Sequence, residues 1–258
     1  MAFRNQYDSD ITTFSPQGRL HQVEYAMESL KLGIVTVGLK SKTHVVLAAH
    51  KRAADMFSEH HEKIFRVDSH IGVSMAGLAA DGRVLFKYLR RECQNHIYAY
   101  GSPHPVSRLI VKLSEKAQEN TQIAGRRPFG VGLLVAGVDK SGPHLFQTSP
   151  SANYTEYIAT TIGARSQSAK TYLEEHFMEF EDCSVEELVK HGVTALAGTV
   201  KTKLKPEEVS ISIIGLDRPF HALSAADLAP ILGDIYVGRE EKSEEEDSEA
   251  WLQSEEDD

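Results

Sequence analysis

The amino-acid sequence predicts an α+β fold in which two β-sheets pack face to face between outer layers of helices. Apolar, strand-like segments occur in two blocks with short turns between them, which is typical of antiparallel pairing. A pair of amphipathic helices follows each block. With 258 residues, 41% of them hydrophobic, the chain can bury a large core, and no linker or internal repeat divides it before residue 239. We therefore expect one compact domain.

The first predicted element is a helix that begins near Ser15 and leads into the first strand. Ser15 is a suitable N-cap, and Pro16 fits the first helical position, where its missing N–H has no partner to lose. Gly33 fits the C-cap, where helices commonly end. Four apolar residues recur at helical spacing and define one face of this helix: Leu20, Val23, Met27 and Leu30.

The segments after this helix change from helical to strand-like periodicity. "IVTVGLKS", "HVVLAAHKR" and "KIFRVDSHIGVSMAG" are predicted as strands joined by short turns. Two long amphipathic helices are predicted next, over 79–100 and 105–122. The remaining predicted elements are strands over 129–139, 143–150 and 156–163, helices over 166–180 and 184–200, a strand over 208–217, and a short helix over 223–233.

The negative charge of the chain is concentrated at its C-terminal end. Residues 239–258 contain eleven acidic and two basic residues, which leaves 26 of each sign in residues 1–238. A balanced body lacks the basic surface that nucleic-acid binding requires. The tail is rich in charge and poor in apolar residues, so we expect it to be disordered. Ser243 and Ser254 each have an acidic residue three positions on, which fits phosphorylation by an acidophilic kinase but also arises by chance in such a tail.

No standard catalytic or cofactor signature occurs in the sequence. There is no P-loop, no GxSxG motif and no CxxC pair, so we expect no cofactor. Adjacent His60 and His61 do not aim at one ion on a regular element, and we predict no metal site. Thr36 lies within a predicted strand without a local base that would activate its hydroxyl. Cys93 and Cys183 do not form a disulfide framework, which favours a reducing compartment.

Long segments of the chain resemble the proteasome alpha-type subunits. They are "FSPQGRLHQVEYAMESLKLG", "TVGLKSKTHVVLAAHKRA", "KIFRVDSHIGVSMAGLAADGRVL", "GRRPFGVGLLVAGVDKSGPHLF" and "IGARSQSAKTYLE", and the resemblance covers about residues 3–220. Within the family, "FRNQYDSD", "PSANY" and "GARSQSAKTYLE" resemble one paralogous group. The resemblance implies a four-layer αββα sandwich of the N-terminal nucleophile hydrolase type, with an added N-terminal helix. It also implies a gate segment over residues 1–14, an alpha-type domain over 15–238 and a separate acidic tail over 239–258.

The resemblance further implies that this chain lacks the catalytic residues that related beta subunits have at the same site. In catalytic beta relatives, processing exposes a threonine at the start of the first strand, and its own amino group helps to activate the hydroxyl. Matching "IVTVG" to that strand places Ile34 at the nucleophile, His50 at the expected acidic residue and Lys63 at the active-site lysine. We therefore expect a non-catalytic subunit. The alternative is an autonomous N-terminal nucleophile hydrolase, which would need Thr, Ser or Cys where Ile34 stands.

Two further sets of site residues are carried over from the family. The family's gate cluster matches Tyr7, Asp8, Pro16 and Tyr25, in which a tyrosine hydroxyl can donate to the Asp8 carboxylate. The pocket that receives the C-terminal tails of activators matches Lys63 and five other residues: Leu20, Glu24, Gly33, Gly77 and Leu78. From the residues alone, three other interpretations stay open. Tyr25 can be a buried helix tyrosine, Lys63 a surface lysine and Pro16 merely the start of a helix.

The partners that the resemblance implies are all proteins. They are the other alpha subunits of a hetero-heptameric ring, the beta-ring subunits, and a regulatory particle or other activators. A location in cytoplasm and nucleus is implied as well. The polar start "MAFRNQYDSD" lacks the apolar region of a signal peptide, and no apolar run approaches the ~18 residues of a membrane helix. An acidic tail that binds basic partners would add to this role without replacing it.

Overall fold

Two antiparallel five-stranded sheets form the centre of the molecule in the computed structural model, which describes residues 6–53, 57–200 and 202–235. In spatial order, the first sheet contains β10 (His221–Ala222), β9 (Val209–Gly215), β2 (His44–His50), β1 (Thr36–Lys40) and β8 (Ala159–Ile162). The second sheet contains β3 (Ile64–Asp68), β4 (Ile71–Gly77), β5 (Val131–Asp139), β6 (Gly142–Thr148) and β7 (Tyr154–Glu156).

Helices cover the outer faces of both sheets. Packed against the second sheet are α2 (Ala79–Tyr100) and α3 (Val106–Gln122), and packed against the first are α4 (Ser166–His176) and α5 (Val185–Ala197). Residues 225–235 are also helical and contribute to the core beneath α4 and α5. The N-terminal helix α1 (His21–Leu32) is added to this arrangement. The four-layer αββα sandwich with an added helix is therefore confirmed. None of the helices in the described ranges is long and apolar enough to cross a membrane.

Buried side chains of the central strands alternate between the two faces of each sheet, so that each sheet packs against helices on one face and against the other sheet on the other. In β2, Val46 and Ala48 face the outer helices, whereas Val45 and Leu47 face the opposite sheet, and all four are fully buried. Successive side chains of a strand point to opposite faces, so one strand supplies two separate cores. A strand that is covered on both faces reads as a continuous apolar run, as "HVVLAAH" does.

One predicted strand, over 156–163, proves to be two strands in different sheets. β7 pairs with β6, and β8 pairs with β1. The chain crosses from one sheet to the other between them, because the amide of Tyr157 donates to Leu145 of β6 while the carbonyl of Ile158 accepts from Lys40 of β1. Both sheets thus obtain an edge strand from a segment that has no turn residue to mark the crossing.

The N-terminal helix begins at His21, so the predicted start near Ser15 is wrong. Ser15 instead closes a tight turn. Its carbonyl accepts from Gly18 N at 2.8 Å and its hydroxyl from Arg19 N at 3.1 Å. Gly18 has a φ of 75°, which a residue with a Cβ adopts with strain. Pro16 is exposed within this turn, five residues before the helix.

Candidate functional site

Ile34 lies at the point where the N-terminal helix passes into the first sheet. The chain continues through Gly33 without interruption, and Gly33 O accepts a hydrogen bond from Ala164 N at 2.6 Å. Ile34 is half-buried at the edge of an open cavity of about 820 Å³. Its side chain carries no nucleophilic atom, and its nitrogen is part of a peptide bond. Neither group that an N-terminal nucleophile mechanism needs is available at this position.

The hydroxyl of Thr36, two residues further along the chain, is hydrogen-bonded within the fold. Thr36 is fully buried; its Oγ1 lies 3.2 Å from Ala48 O, to which it donates, and it also contacts the hydroxyl of Ser74. These bonds use the hydroxyl's proton and one lone pair. Thr36 is therefore a strand threonine, as the sequence predicted.

His50 occupies the place of the expected acidic residue, at the end of β2. Burial lowers the pKa of His50, a shift that Glu208 opposes and that Arg52 and His60 reinforce. A neutral imidazole supplies no negative charge at this position. In the described part of the chain, no group of three His, Cys, Asp or Glu side chains is arranged to hold a metal ion.

Three of the predicted pocket residues meet where α1 ends. A Cβ on Gly33 would lie 2.2 Å from the amide nitrogen of Gly77, so the two backbones are in direct contact and leave no room for a side chain. Gly77 itself has a φ of 115° and touches the carbonyl of Gly130. Leu78 N donates to the same carbonyl at 2.8 Å, while the Leu78 side chain is half exposed. Gly33, Gly77 and Leu78 thus form one contact region.

Lys63 directly precedes β3 and is only 8% exposed, which excludes the interpretation as a surface lysine. The first residue of β3, Ile64, pairs with Ser74, three positions before Gly77 on the neighbouring strand. Burial lowers the pKa of Lys63, because the ammonium group loses hydration. Lys63 forms no ion pair with any residue of the described ranges. A partly desolvated ammonium group without an anionic partner in the described ranges is suited to binding a carboxylate.

Leu20 and Glu24 lie at the opposite end of α1. Glu24 accepts two hydrogen bonds from the Arg19 guanidinium, one of them from Nε at 2.7 Å. Nine residues of helix separate Glu24 from Gly33, a rise of roughly 14 Å. Five of the six residues carried over to the pocket therefore fall into one group at each end of the helix, and the sixth, Lys63, lies before β3.

The segment before α1 is fastened to the helix through Asp8. Tyr25 Oη donates to Asp8 Oδ2 at 3.1 Å, and the Gln22 side-chain amide donates to the Asp8 carbonyl. Tyr25 is 45% exposed, so it is not a buried helix tyrosine. Tyr7 is half-buried, and Ile11 is 2% exposed and anchors the segment. Of the predicted gate cluster, the structure joins Asp8 and Tyr25 by a hydrogen bond.

The sequence did not predict one set of hydrogen bonds that holds this region in place, the Asp81 latch, which joins Asp81 to Arg127 and Gly130. The Asp81 carboxylate, in the first turn of α2, accepts from Arg127 Nη1 and Nη2 at 2.6 and 2.8 Å and from Gly130 N at 2.9 Å. The Gly130 carbonyl in turn accepts from Ser29 Oγ of α1 at 2.8 Å and from Leu78 N. Arg127 holds the pKa of Asp81 below its ordinary value. Asp81 and Arg127 are 46 positions apart, so no local spacing connects them.

Two family models match most of the chain. The Proteasome subunit family model matches residues 30–214, and the N-terminal signature of A-type proteasome subunits matches residues 7–28. The chain is 51% identical over 233 residues to the alpha type-1 proteasome subunit of Dictyostelium discoideum, covering 89% of this chain and 94% of the relative. It is 51% identical over 232 residues to the alpha type-1 subunit of Drosophila melanogaster, covering 88% and 83% of the two chains. It is 53% identical over 220 residues to the probable alpha type-6 subunit of Schizosaccharomyces pombe, covering 84% and 81%.

The matches cover both parts of the site. The N-terminal signature contains the Asp8–Tyr25 contact, and the family domain contains Lys63 and the Gly33–Gly77 contact. The paralogous group that the sequence segments resembled is the alpha type-1 group. The chain therefore belongs to the proteasome alpha-type subunits, the structural and generally non-catalytic components of the alpha ring of the 20S core particle.

Proposed function

We propose that this chain acts in the sixth position of a eukaryotic alpha ring as a scaffold, a part of the pore gate and a docking site for activators. Peptide bonds are cleaved by threonine-type beta subunits of the same particle, in ubiquitin-dependent and ubiquitin-independent degradation in cytoplasm and nucleus. The occupation of the nucleophile position by Ile34 supports this division of labour, since an isoleucine cannot form an acyl intermediate.

The gating role rests on the hydrogen bond between Tyr25 and Asp8. Together with the hydrogen bond from the Gln22 amide to the Asp8 carbonyl, this bond of 3.1 Å attaches the segment before the helix to a rigid element. A gate needs such a segment with two discrete arrangements. We assign the bond to the open arrangement, in which Asp8 is held against α1.

Two substitutions in the assembled core particle test the gate. Tyr25→Phe removes the hydroxyl and keeps the ring, so activator-stimulated hydrolysis of a fluorogenic peptide should fall by roughly threefold to tenfold, which corresponds to the net contribution of one solvent-exposed hydrogen bond. Tyr98→Phe, at a 95% exposed tyrosine on α2, is the matched control and should change nothing. Removal of the residues before Thr12 should raise basal hydrolysis. Flat basal hydrolysis after this deletion would show that the segment does not close the pore.

Activator docking is the second role, and the burial of Lys63 favours it. A lysine that is 8% exposed and has no acidic partner in the described ranges is suited to the terminal carboxylate of an inserted peptide. The half-exposed Leu78 and the close Gly33–Gly77 contact lie at the end of β4, the strand that pairs with β3 directly after Lys63.

Lys63→Ala and Lys63→Met test the docking site. Both remove the charge, and methionine preserves most of the buried volume, so a loss of affinity shared by both variants reports the charge. We expect activator binding to this pocket to weaken about tenfold, with ring assembly intact on native electrophoresis. Lys31→Met, which removes an exposed lysine from α1, is the control. Unchanged activator affinity in both Lys63 variants would exclude this lysine as the carboxylate-binding group.

A further inference from the structure

The cavity beside Ile34 is lined by basic side chains that neither gating nor docking at Lys63 uses. Lys51 and Arg52 follow β2, Arg165 precedes α4, and Lys205 precedes the short turn that leads into β9. Glu208 is the only acidic residue among the described residues that line it. Four cations from three separate segments therefore converge on one open space of about 820 Å³.

Most of this positive charge is not neutralised within the part of the chain that the structure describes. Lys51 lies 3.5 Å from Glu62, but Arg52, Arg165 and Lys205 form no ion pair there. The Glu208 carboxylate accepts from the backbone amide of Lys205 at 3.1 Å. A concave site with low-dielectric walls and one sign of charge concentrates counter-ions of the other sign.

The distribution of the cations fits an extended chain of carboxylates better than a single small anion. The basic groups are spread over three separate segments that line an open cavity of about 820 Å³, which is far more space than one phosphate fills. Arginine side chains bind carboxylates with two parallel hydrogen bonds and tolerate successive acidic residues of a peptide. The occupant that this cavity favours is therefore a run of aspartates and glutamates.

The same chain carries such a run. Residues 239–258 contain eleven acidic residues. Leu228 and Leu232, in the helical residues 225–235 before the tail, are buried in the same cluster as Leu204 and Val209, the neighbours of Lys205 and Glu208. Twenty residues can span roughly 65 Å when extended, so reach does not limit the contact.

We propose that the acidic tail, residues 239–258, docks onto the basic cavity beside Ile34 of the same subunit, with its carboxylates on Arg52, Arg165 and Lys205. A tethered segment acts at an effective concentration of about millimolar, which gives it an advantage over acidic peptides from other chains. The site that catalytic relatives use for chemistry is then a docking site for this subunit's own tail.

Photo-crosslinking in the assembled core particle tests this docking. Trp251, within the tail, is replaced by p-benzoylphenylalanine, and crosslinked peptides are identified by mass spectrometry after irradiation. We expect crosslinks to residues 50–60 and 199–208 of the same chain. Combined Arg52→Glu, Arg165→Glu and Lys205→Glu substitutions should lower their yield about tenfold, because like charges then face each other.

A matched control carries the same charge change elsewhere. Arg83→Glu, Lys87→Glu and Arg108→Glu alter exposed residues of α2 and α3, on the other side of the sandwich, and should leave the yield within about twofold. If the cavity variant does not assemble, replacing the tail's acidic residues by amides tests the contact without touching the domain and should lower the yield equally. Crosslinks that map mainly to other surfaces or subunits, or a yield that neither set of substitutions changes, would overturn the proposal.

Discussion

Replacing Asp81 by asparagine should loosen the loop that supports both the end of α1 and Leu78. The substitution keeps the shape of the side chain and removes its charge. Three donors converge on the carboxylate, two from Arg127 and one from Gly130 N, and an amide oxygen can serve only part of them. The contacts that Gly130 makes with Ser29 and Leu78 depend on the position that this latch gives it.

The expected magnitude follows from the exposure of the two partners. The Asp81 side chain is 10% exposed, and a hydrogen bond to a buried charged group contributes about 1.5–3 kcal/mol. The Arg127 side chain is 64% exposed, so solvent screens the attraction between its charge and Asp81. Most of that attraction therefore does not contribute to the free energy of opening. We expect Asp81→Asn to lower the local free energy of opening by ~1–2 kcal/mol, which corresponds to about 5- to 30-fold faster exchange.

Amide hydrogen exchange in the assembled particle measures this directly, since local opening sets the exchange rate. The amides of residues 126, 127 and 129–131 should exchange faster in Asp81→Asn. Glu119→Gln is the matched control. It removes the ion pair between Glu119 and Arg126, which is the direct neighbour of Arg127. The Arg126 and Glu119 side chains are 46% and 49% exposed. That control should change exchange by less than about threefold. Equal exchange in the wild type and Asp81→Asn would refute the assignment of Asp81 as the latch.

The pH dependence of this latch has a defined sign. Arg127 lowers the pKa of Asp81 in the folded protein below its ordinary value of 3.8. The contribution to stability is therefore complete above the ordinary value and is lost as the pH falls through the lower, folded-state value. The difference in stability between the wild type and Asp81→Asn should be constant from about pH 5 to 8 and shrink below about pH 4. A difference that grows on acidification would contradict this sign.

Three further predictions concern packing and reactivity. Gly33→Ala should lower the stability of the particle in thermal unfolding by at least ~2 kcal/mol, because the new Cβ would lie 2.2 Å from the backbone nitrogen of Gly77. Gly233→Ala is the control and should be neutral, because the space around Gly233 is open. Phe180→Ala should cost ~3–5 kcal/mol and reduce incorporation into native particles, because the ring is fully buried; normal incorporation and stability would contradict its place in the core. Burial raises the pKa of Cys93 to about 12, so iodoacetamide at pH 8 should label Cys183 first, and peptide mapping that finds Cys93 labelled equally fast would be inconsistent with its burial.

The sequence predicted the layers of the fold because burial leaves a periodic record along each element. The alternation in β2 and the helical spacing in α2 each reflect contact with a neighbouring layer, whichever residues that layer supplies. The identity of Ile34 was equally decisive, since the absence of a nucleophile does not depend on the surrounding structure. The gate and pocket residues came from the family resemblance, and the structure joins only some of them, namely Asp8 with Tyr25, and Gly33 with Gly77 and Leu78.

The acidic tail and its candidate phosphorylation sites, Ser243 and Ser254, lie outside the described residues, so their disorder and modification stay predictions. So do the boundaries proposed for the gate segment over residues 1–14 and for the domain over residues 15–238.

The tertiary structure alone decided where α1 begins, how residues 154–162 divide between two sheets, and which charges are paired. Ser15 and Pro16 have the composition of a helix start, yet a hydrogen-bonded turn with Arg19 takes their place. Asp81 pairs with Arg127 across 46 positions, and burial in the folded chain lowers the pKa of Lys63. Local sequence records the periodic burial of side chains within one helix or strand. Ion pairs and burial between distant segments form only when folding brings those segments together.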